Sequence, residues 1–175
     1  PNPHAWISPK RGIIYVDTLS RALSELKPQS KTVFKKNAEI YKNKLLEIDE
    51  DFSLFLNTLK KNQKYLVSCE GAFTYLTNDY GLKEAYLWPV NAESQITPKR
   101  MAKVINLVKT NDIPAVFCES TVSSESQLAV ARETGAKFGG NFFVDSLSEK
   151  NGPASSYIDL LNHNLNLIKQ AYSTK

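Results

Sequence analysis

Beyond Lys64 the chain alternates between short apolar runs and amphipathic stretches of helical period: "KYLVSC", "AFTYLTNDYG", "EAYLW", "TPKRMAKVINLVKTN", "AVFCES", "SESQLAVARETG", "GGNFFVDSL" and a last helical stretch from about Pro153. Strand-sized runs interleaved with helices in this rhythm predict an α/β fold, a parallel four-stranded sheet flanked by helices on both faces. The boundaries carry their own signals. Thr97 followed by Pro98 reads as an N-cap with proline at the first helical position, and Gly81 and Gly135 stand where left-handed C-caps are expected.

The pattern before residue 60 differs. After an opening "PNPHAWISP" it is helical throughout, and one amphipathic stretch begins near Ser30 with apolar positions at Val33, Ala38, Tyr41, Leu45, Ile48, Phe52, Phe55, Leu56 and Leu59. The steps are mostly three or four. A helix of about 30 residues is ~45 Å long, more than the width of the domain behind it, so a strut linking two lobes is predicted. The chain divides into residues 1–8, a segment of its own; 9–62, connecting helices that include the long one; and 63–175, the α/β lobe.

Composition changes this picture little. The chain has 175 residues, 42% hydrophobic, which is enough for one well-buried core. Its net charge of +4 and pI of about 9.0 invite a nucleic-acid reading, but the basic residues are interleaved with acids on helical segments, without arginine clusters or aromatic-basic stacking motifs. No nucleic-acid partner is expected. No apolar stretch approaches the ~20 residues that span a bilayer, and the chain opens at Pro1 without a methionine, as a processed protein or a fragment would.

Chemistry is expected just past the carboxyl ends of parallel strands. Glu70, Glu119 and Asp145 all follow apolar runs there, so three carboxylates converge on one edge. Two of the runs end in Cys-Glu: "LVSCEG" and "AVFCES". In the common strand order the first and third strands are neighbours ~4.8 Å apart, and Cys69 and Cys118 stop at equal height on them, inside the range a disulfide bridges. Adjacent side chains on a strand point to opposite faces, so a four-ligand Cys2Glu2 metal site would need both faces at once. A disulfide is favoured over a pair of buried free thiols, and no C-x-x-C redox motif is present.

His4 lies between Pro3 and Pro9, which deny it helix, and beside Trp6. It is the one histidine in a site-like context. His163, in "LLNHNLNLI", reads as a surface or packing residue.

"NPHAWISP", "CEGAFTYLTNDYG", "YLWPVNAESQITPKRM", "AVFCESTVSS" and "TGAKFGGNFFVDSLS", in this order, resemble the cluster A-I metal-binding proteins of bacterial ABC importers, most of all the cyanobacterial manganese-binding ones. The resemblance spans essentially the whole chain. It implies one lobe of a two-lobed periplasmic protein whose lobes, joined by a long rigid helix, clamp a metal between them. It assigns His4, Glu70 and Asp145 as metal ligands, and it places the disulfide of the cyanobacterial members on Cys69 and Cys118. The N-terminal lobe of the family, with its further ligating histidine, is missing here, so the chain is expected to be the linking helix plus the C-terminal lobe alone.

The expected ligand is Mn2+, with Zn2+ or Fe2+ also compatible, since manganese favours hard oxygen donors and accepts imidazole. Glu119 is expected to stand behind the ligands, accepting a hydrogen bond from one of them or from rim backbone. The implied partner is the membrane permease of an ABC importer, and the implied location is periplasmic or extracytoplasmic, with a lipid anchor on a segment absent from this chain. A binding protein without turnover chemistry is expected. The rivals are a small metal-dependent α/β hydrolase using the same carboxylates, against which stands the lack of a phosphate loop or nucleophile elbow, and a module docking through its long helix. Nothing in the local sequence pins residues 1–8. Ordering them is expected to cost ~1–2 kcal/mol per residue and to leave His4 the weakest ligand, with weak metal binding by this chain alone.

Overall fold

The computed structural model describes residues 1–60, 64–92 and 96–173. After a 3-10 turn at Ala5–Ile7 come α1 (Pro9–Leu26), a second 3-10 turn at Pro28–Ser30, and α2 (Lys31–Thr58). Then follow β1 (Tyr65–Glu70), α3 (Thr74–Asp79), β2 (Lys83–Trp88), α4 (Pro98–Thr110), β3 (Ala115–Glu119), α5 (Glu125–Thr134), β4 (Lys137–Phe142) and α6 (Tyr157–Tyr172). The long helix and the βα alternation stand where the hydrophobic pattern puts them. The boundary expected at residues 62 and 63, and part of the "NAESQ" motif, lie outside the described residues.

Local signals act as predicted at several ends. Thr97 accepts the backbone N–H of Arg100 at 3.2 Å and Pro98 follows it, relieving one of the unpaired donors of the first turn. Gly81 and Gly135 have φ of 64° and 74°, where a Cβ would be strained.

All strands are parallel, in the order β2-β1-β3-β4. The backbone ladders run within β1–β2 and within β3–β4, so the single four-stranded ladder expected from the pattern is divided at its centre. There the Cα atoms of Cys69 and Cys118 are 4.8 Å apart across the disulfide that joins β1 to β3. The N–H of Glu70 turns to the Glu119 carboxylate, and the amide of Gln127 on α5 donates to the Val67 carbonyl at 3.3 Å. Side chains thus supply the polar links across this seam.

Alternation along the strands builds two cores. Leu66, Ala115, Phe117 and Phe142 face α2, α3 and α6, meeting Leu45, Phe52, Leu56, Leu161 and Leu165. Val67, Cys69, Val116 and Cys118 face α4 and α5, meeting Val104, Val108 and Val130. Phe52 is fully buried and stands edge-on to Tyr80 at 5.0 Å; truncating such a ring typically costs about 3–5 kcal/mol.

A bulge bends β4 between Val116 and Phe117 of its partner. A Cβ at Gly139 would lie 2.2 Å from the Phe117 ring, and Gly140 has φ of 119°, so this detour requires glycine. Beyond it Phe142 stacks on Phe117 at 4.6 Å. The outer edge of β4 is covered by α6: the Asn164 amide accepts from Phe143 N and donates to Phe143 O, at 2.9 and 2.7 Å, and His163 Nε2 is 3.2 Å from the Asn141 carbonyl. His163 is partly buried and meets the Phe143 ring at 5.3 Å, in keeping with the reading of a surface or packing residue.

Candidate metal centre

Three strand ends and the N-terminal segment meet at the carboxyl edge of the sheet. Glu70 is the last residue of β1 and Glu119 the last of β3, both buried. Alternation sets them in register with Leu66 and Phe117, but the Glu119 carboxylate bends back to the strand seam, within 4.8 Å of the disulfide sulfurs. Glu70 Oε1 accepts the N–H of Asn91 at 3.0 Å, from the loop after β2, where Asn91 has a φ of 57°. Both oxygens of Glu119 face the N–H of Glu70, at 3.3 and 3.2 Å. Burial, together with the negative charges of Glu70 and Asp145, pushes the Glu119 carboxyl up to about 8.

Asp145 lies three residues beyond β4, its side chain half-exposed. The loop carrying it is fixed one residue earlier, where the Val144 carbonyl accepts the indole N–H of Trp6 at 3.1 Å. His4 is only 4% exposed, yet its Nε2 is 3.4 Å from Asp145 Oδ1. That is the separation of two donors placed about 2.1 Å from one tetrahedral ion. The other ring nitrogen, Nδ1, is 2.8 Å from Asn2 Oδ1, and the ring leans on Trp6 at 5.2 Å.

The expectation that nothing pins residues 1–8 is corrected by these contacts and by those around them. The Tyr157 hydroxyl donates to the Trp6 carbonyl at 2.6 Å, in space left by Gly12, whose Cβ would sit 2.4 Å from that oxygen. Ser8 donates to Asp79 Oδ2 at 2.7 Å, and Arg11 grips both Asp79 oxygens through Nε and Nη2. The partners lie 68 to 151 positions away in sequence, so no local pattern shows them. The signal that existed was Trp6 itself, a large aromatic with an N–H that must find an acceptor when buried.

Of the residues singled out from sequence, the structure brings His4 and Asp145 into direct contact and Glu70 and Glu119 into another. Among the described residues, the one group of three or more His, Cys, Asp or Glu side chains whose ligand atoms all lie within 4.8 Å of one another is Cys69, Cys118 and Glu119. Its sulfurs are spent in the disulfide, and a metal ligand must be a thiolate. The Cys-Glu repeat is therefore a disulfide followed on each strand by a buried carboxylate. Asn2 and Asn91, which hold His4 and Glu70, had not been singled out; Asn-Pro at residues 2 and 3 was the available turn signal.

Residues 1–171 match the family described as the zinc-uptake complex component A, periplasmic (ZnuA). This chain is a member of the ZnuA family. Among ZnuA-family relatives, the iron-binding protein YfeA of Yersinia pestis is 42% identical over 98% of this chain and 55% of its own length. The manganese ABC transporter substrate-binding lipoprotein PsaA of Streptococcus mitis is 30% identical over 97% and 55%. The structure of a Mn-bound periplasmic metal-binding protein from Candidatus Liberibacter asiaticus superposes with a TM-score of 0.90 at 36% identity, over 97% of this chain and 63% of that one. The chain thus spans about half the length of the curated relatives it matches. Among the described residues no helix is long and apolar enough to cross a membrane.

Proposed function

We propose that this chain is the C-terminal lobe and linking helix of the solute-binding component of an ABC importer, which captures a divalent transition metal outside the cytoplasm and delivers it to the membrane permease. The metal is Mn2+ in the first place, bound by His4, Glu70 and Asp145, with Glu119 behind them and the other lobe completing the site. What carries the reading is the pair His4 Nε2 and Asp145 Oδ1, 3.4 Å apart with the imidazole buried, at the strand edge where Glu70 and Glu119 also end. One imidazole among carboxylates is a hard set that suits manganese, although zinc and iron bind such donors too. The names of the relatives support the metal class and divide on the metal: iron for YfeA, manganese for PsaA. Lipid anchoring is carried by the lipoprotein relatives. A hydrolase reading gains no support from the geometry, in which the carboxylates accept backbone N–H groups or face an imidazole.

Isothermal titration of the chain with Mn2+ and Zn2+ at neutral pH is the test. His4→Ala and Asp145→Ala should each weaken binding at least tenfold. Equal affinity in wild type and the triple variant His4→Ala, Glu70→Ala, Asp145→Ala would dismiss the assignment.

A further inference from the structure

We infer that Asn2 is the positioning residue of this centre: its amide decides which ring nitrogen of His4 is free to bind a metal, and ties that ring to the end of β1. The metal-binding part of the inference rests on the function proposed above; the part concerning the ring does not. Asn2 Oδ1 accepts the backbone N–H of His4 at 3.0 Å. A backbone N–H can only donate, so the amide atom facing it is oxygen. At the other end Asn2 Nδ2 is 2.7 Å from the Gly71 carbonyl. A carbonyl can only accept, so that atom is nitrogen. Two backbone groups thus fix the orientation of the amide, and its oxygen also lies 2.8 Å from His4 Nδ1. Nδ1 must therefore carry a proton, and in the neutral ring this leaves the lone pair on Nε2, the nitrogen turned to Asp145.

The donor end does a second task. Gly71 directly follows Glu70, and its own N–H is held by the Trp88 carbonyl at 3.0 Å. Asn2 Nδ2 also reaches Thr74 Oγ1 at 3.2 Å, whose hydroxyl donates to Glu84 Oε2 at 2.7 Å, while Glu84 Oε1 takes the Phe73 N–H at 2.9 Å. One side chain therefore bridges an imidazole on the N-terminal segment and the peptide beside Glu70. Asparagine suits both tasks: leucine has neither end, and aspartate has the acceptor without the donor.

The experiment is long-range 1H–15N spectroscopy of the histidine rings in metal-free protein, followed by Mn2+ titration, for wild type, Asn2→Leu, Asn2→Asp and Thr74→Val. The chain has two histidines, and a His163→Gln variant assigns their signals. In wild type His4 should show the proton on Nδ1. Asn2→Leu should release that preference and lower Mn2+ affinity about 10- to 100-fold, the usual effect of losing a group that orients a ligand. Asn2→Asp should retain the Nδ1 proton and recover part of the affinity, and Thr74→Val should leave the tautomer unchanged. A neutral wild-type His4 ring with its proton on Nε2, or an Asn2→Leu variant with unaltered tautomer and affinity, overturns the inference. Full Mn2+ affinity in His4→Ala overturns instead the metal reading, and with it the role of Asn2 in binding.

Discussion

The two oxygens of Glu119 receive the backbone N–H of Glu70 at 3.3 and 3.2 Å. A carboxyl group at the end of β3 thus supplies an acceptor to the end of β1, and its protonation bears on the seam between the two strands.

Burial first, and then the charges of Glu70 and Asp145, raise the Glu119 carboxyl from 4.5 to about 8. A group raised in the folded state contributes stability that is complete below its unfolded value and disappears as pH climbs through the folded one. The metal-free protein should therefore lose stability between pH 4.5 and about 8, by an amount on the order of 4 kcal/mol. Glu119→Gln should flatten that decline. Urea unfolding at a series of pH values checks this, and parallel profiles for the two proteins would contradict it.

The Cys69–Cys118 bridge closes a loop of 49 residues, which on the chain-entropy argument contributes roughly 4 kcal/mol. Reduction, or the double substitution Cys69→Ser and Cys118→Ser, should lower the denaturation midpoint accordingly. Because each half-cystine precedes a carboxylate of the seam, reduction should also weaken Mn2+ binding. Identical titrations with and without reductant would separate the bridge from the metal.

Burial alone would raise the Asp79 carboxyl, but hydrogen bonds from Arg11 and Ser8 and the charges of Arg11 and Lys10 outweigh it, and the net displacement is downward from 3.8. Stability from a lowered carboxyl is present above its unfolded value and goes as pH falls through the folded one. Docking of residues 1–8 should accordingly fail below about pH 3.8, and Arg11→Ala should bring that loss to higher pH. Trp6 fluorescence, reporting the indole bonded to Val144, is the readout; a profile unaffected by Arg11→Ala would count against the clamp.

Replacing Asp145 by histidine exchanges a hard donor for a borderline one at the atom that faces His4. The Zn2+ to Mn2+ affinity ratio should rise by tenfold or more. Competition titrations in which the ratio holds would show that geometry sets the preference.

Much of this architecture was legible because its determinants are local. The 3.6-residue period of α2, the Thr97-Pro98 cap, the glycines at 81 and 135 and the apolar runs ending in Cys-Glu each encode their structure within a few positions. The seam in the sheet was not legible. At its carboxyl end a distant carboxylate takes one N–H, and nothing in "LVSCEG" announces that Glu119 will do so. The order of residues 1–8 was hidden for the same reason, since it depends on Val144, Tyr157 and Asp79. His4 was recognisable from its prolines and Trp6, whereas the amide that orients its ring becomes apparent only once Gly71 is beside it.

The buried positions of α2 are Ala38, Leu45, Ile48, Phe52 and Leu56, so the helix is embedded along its second half and leaves its first turns outside the α/β core. It is in effect a lever whose fulcrum lies at Phe52. From there to Lys31 is about 30 Å of rigid axis, so a tilt of 1° at the fulcrum displaces the tip by roughly half an ångström. A distance label at Lys31 would therefore magnify repacking around Phe52 that is too small to register at the strand edge itself.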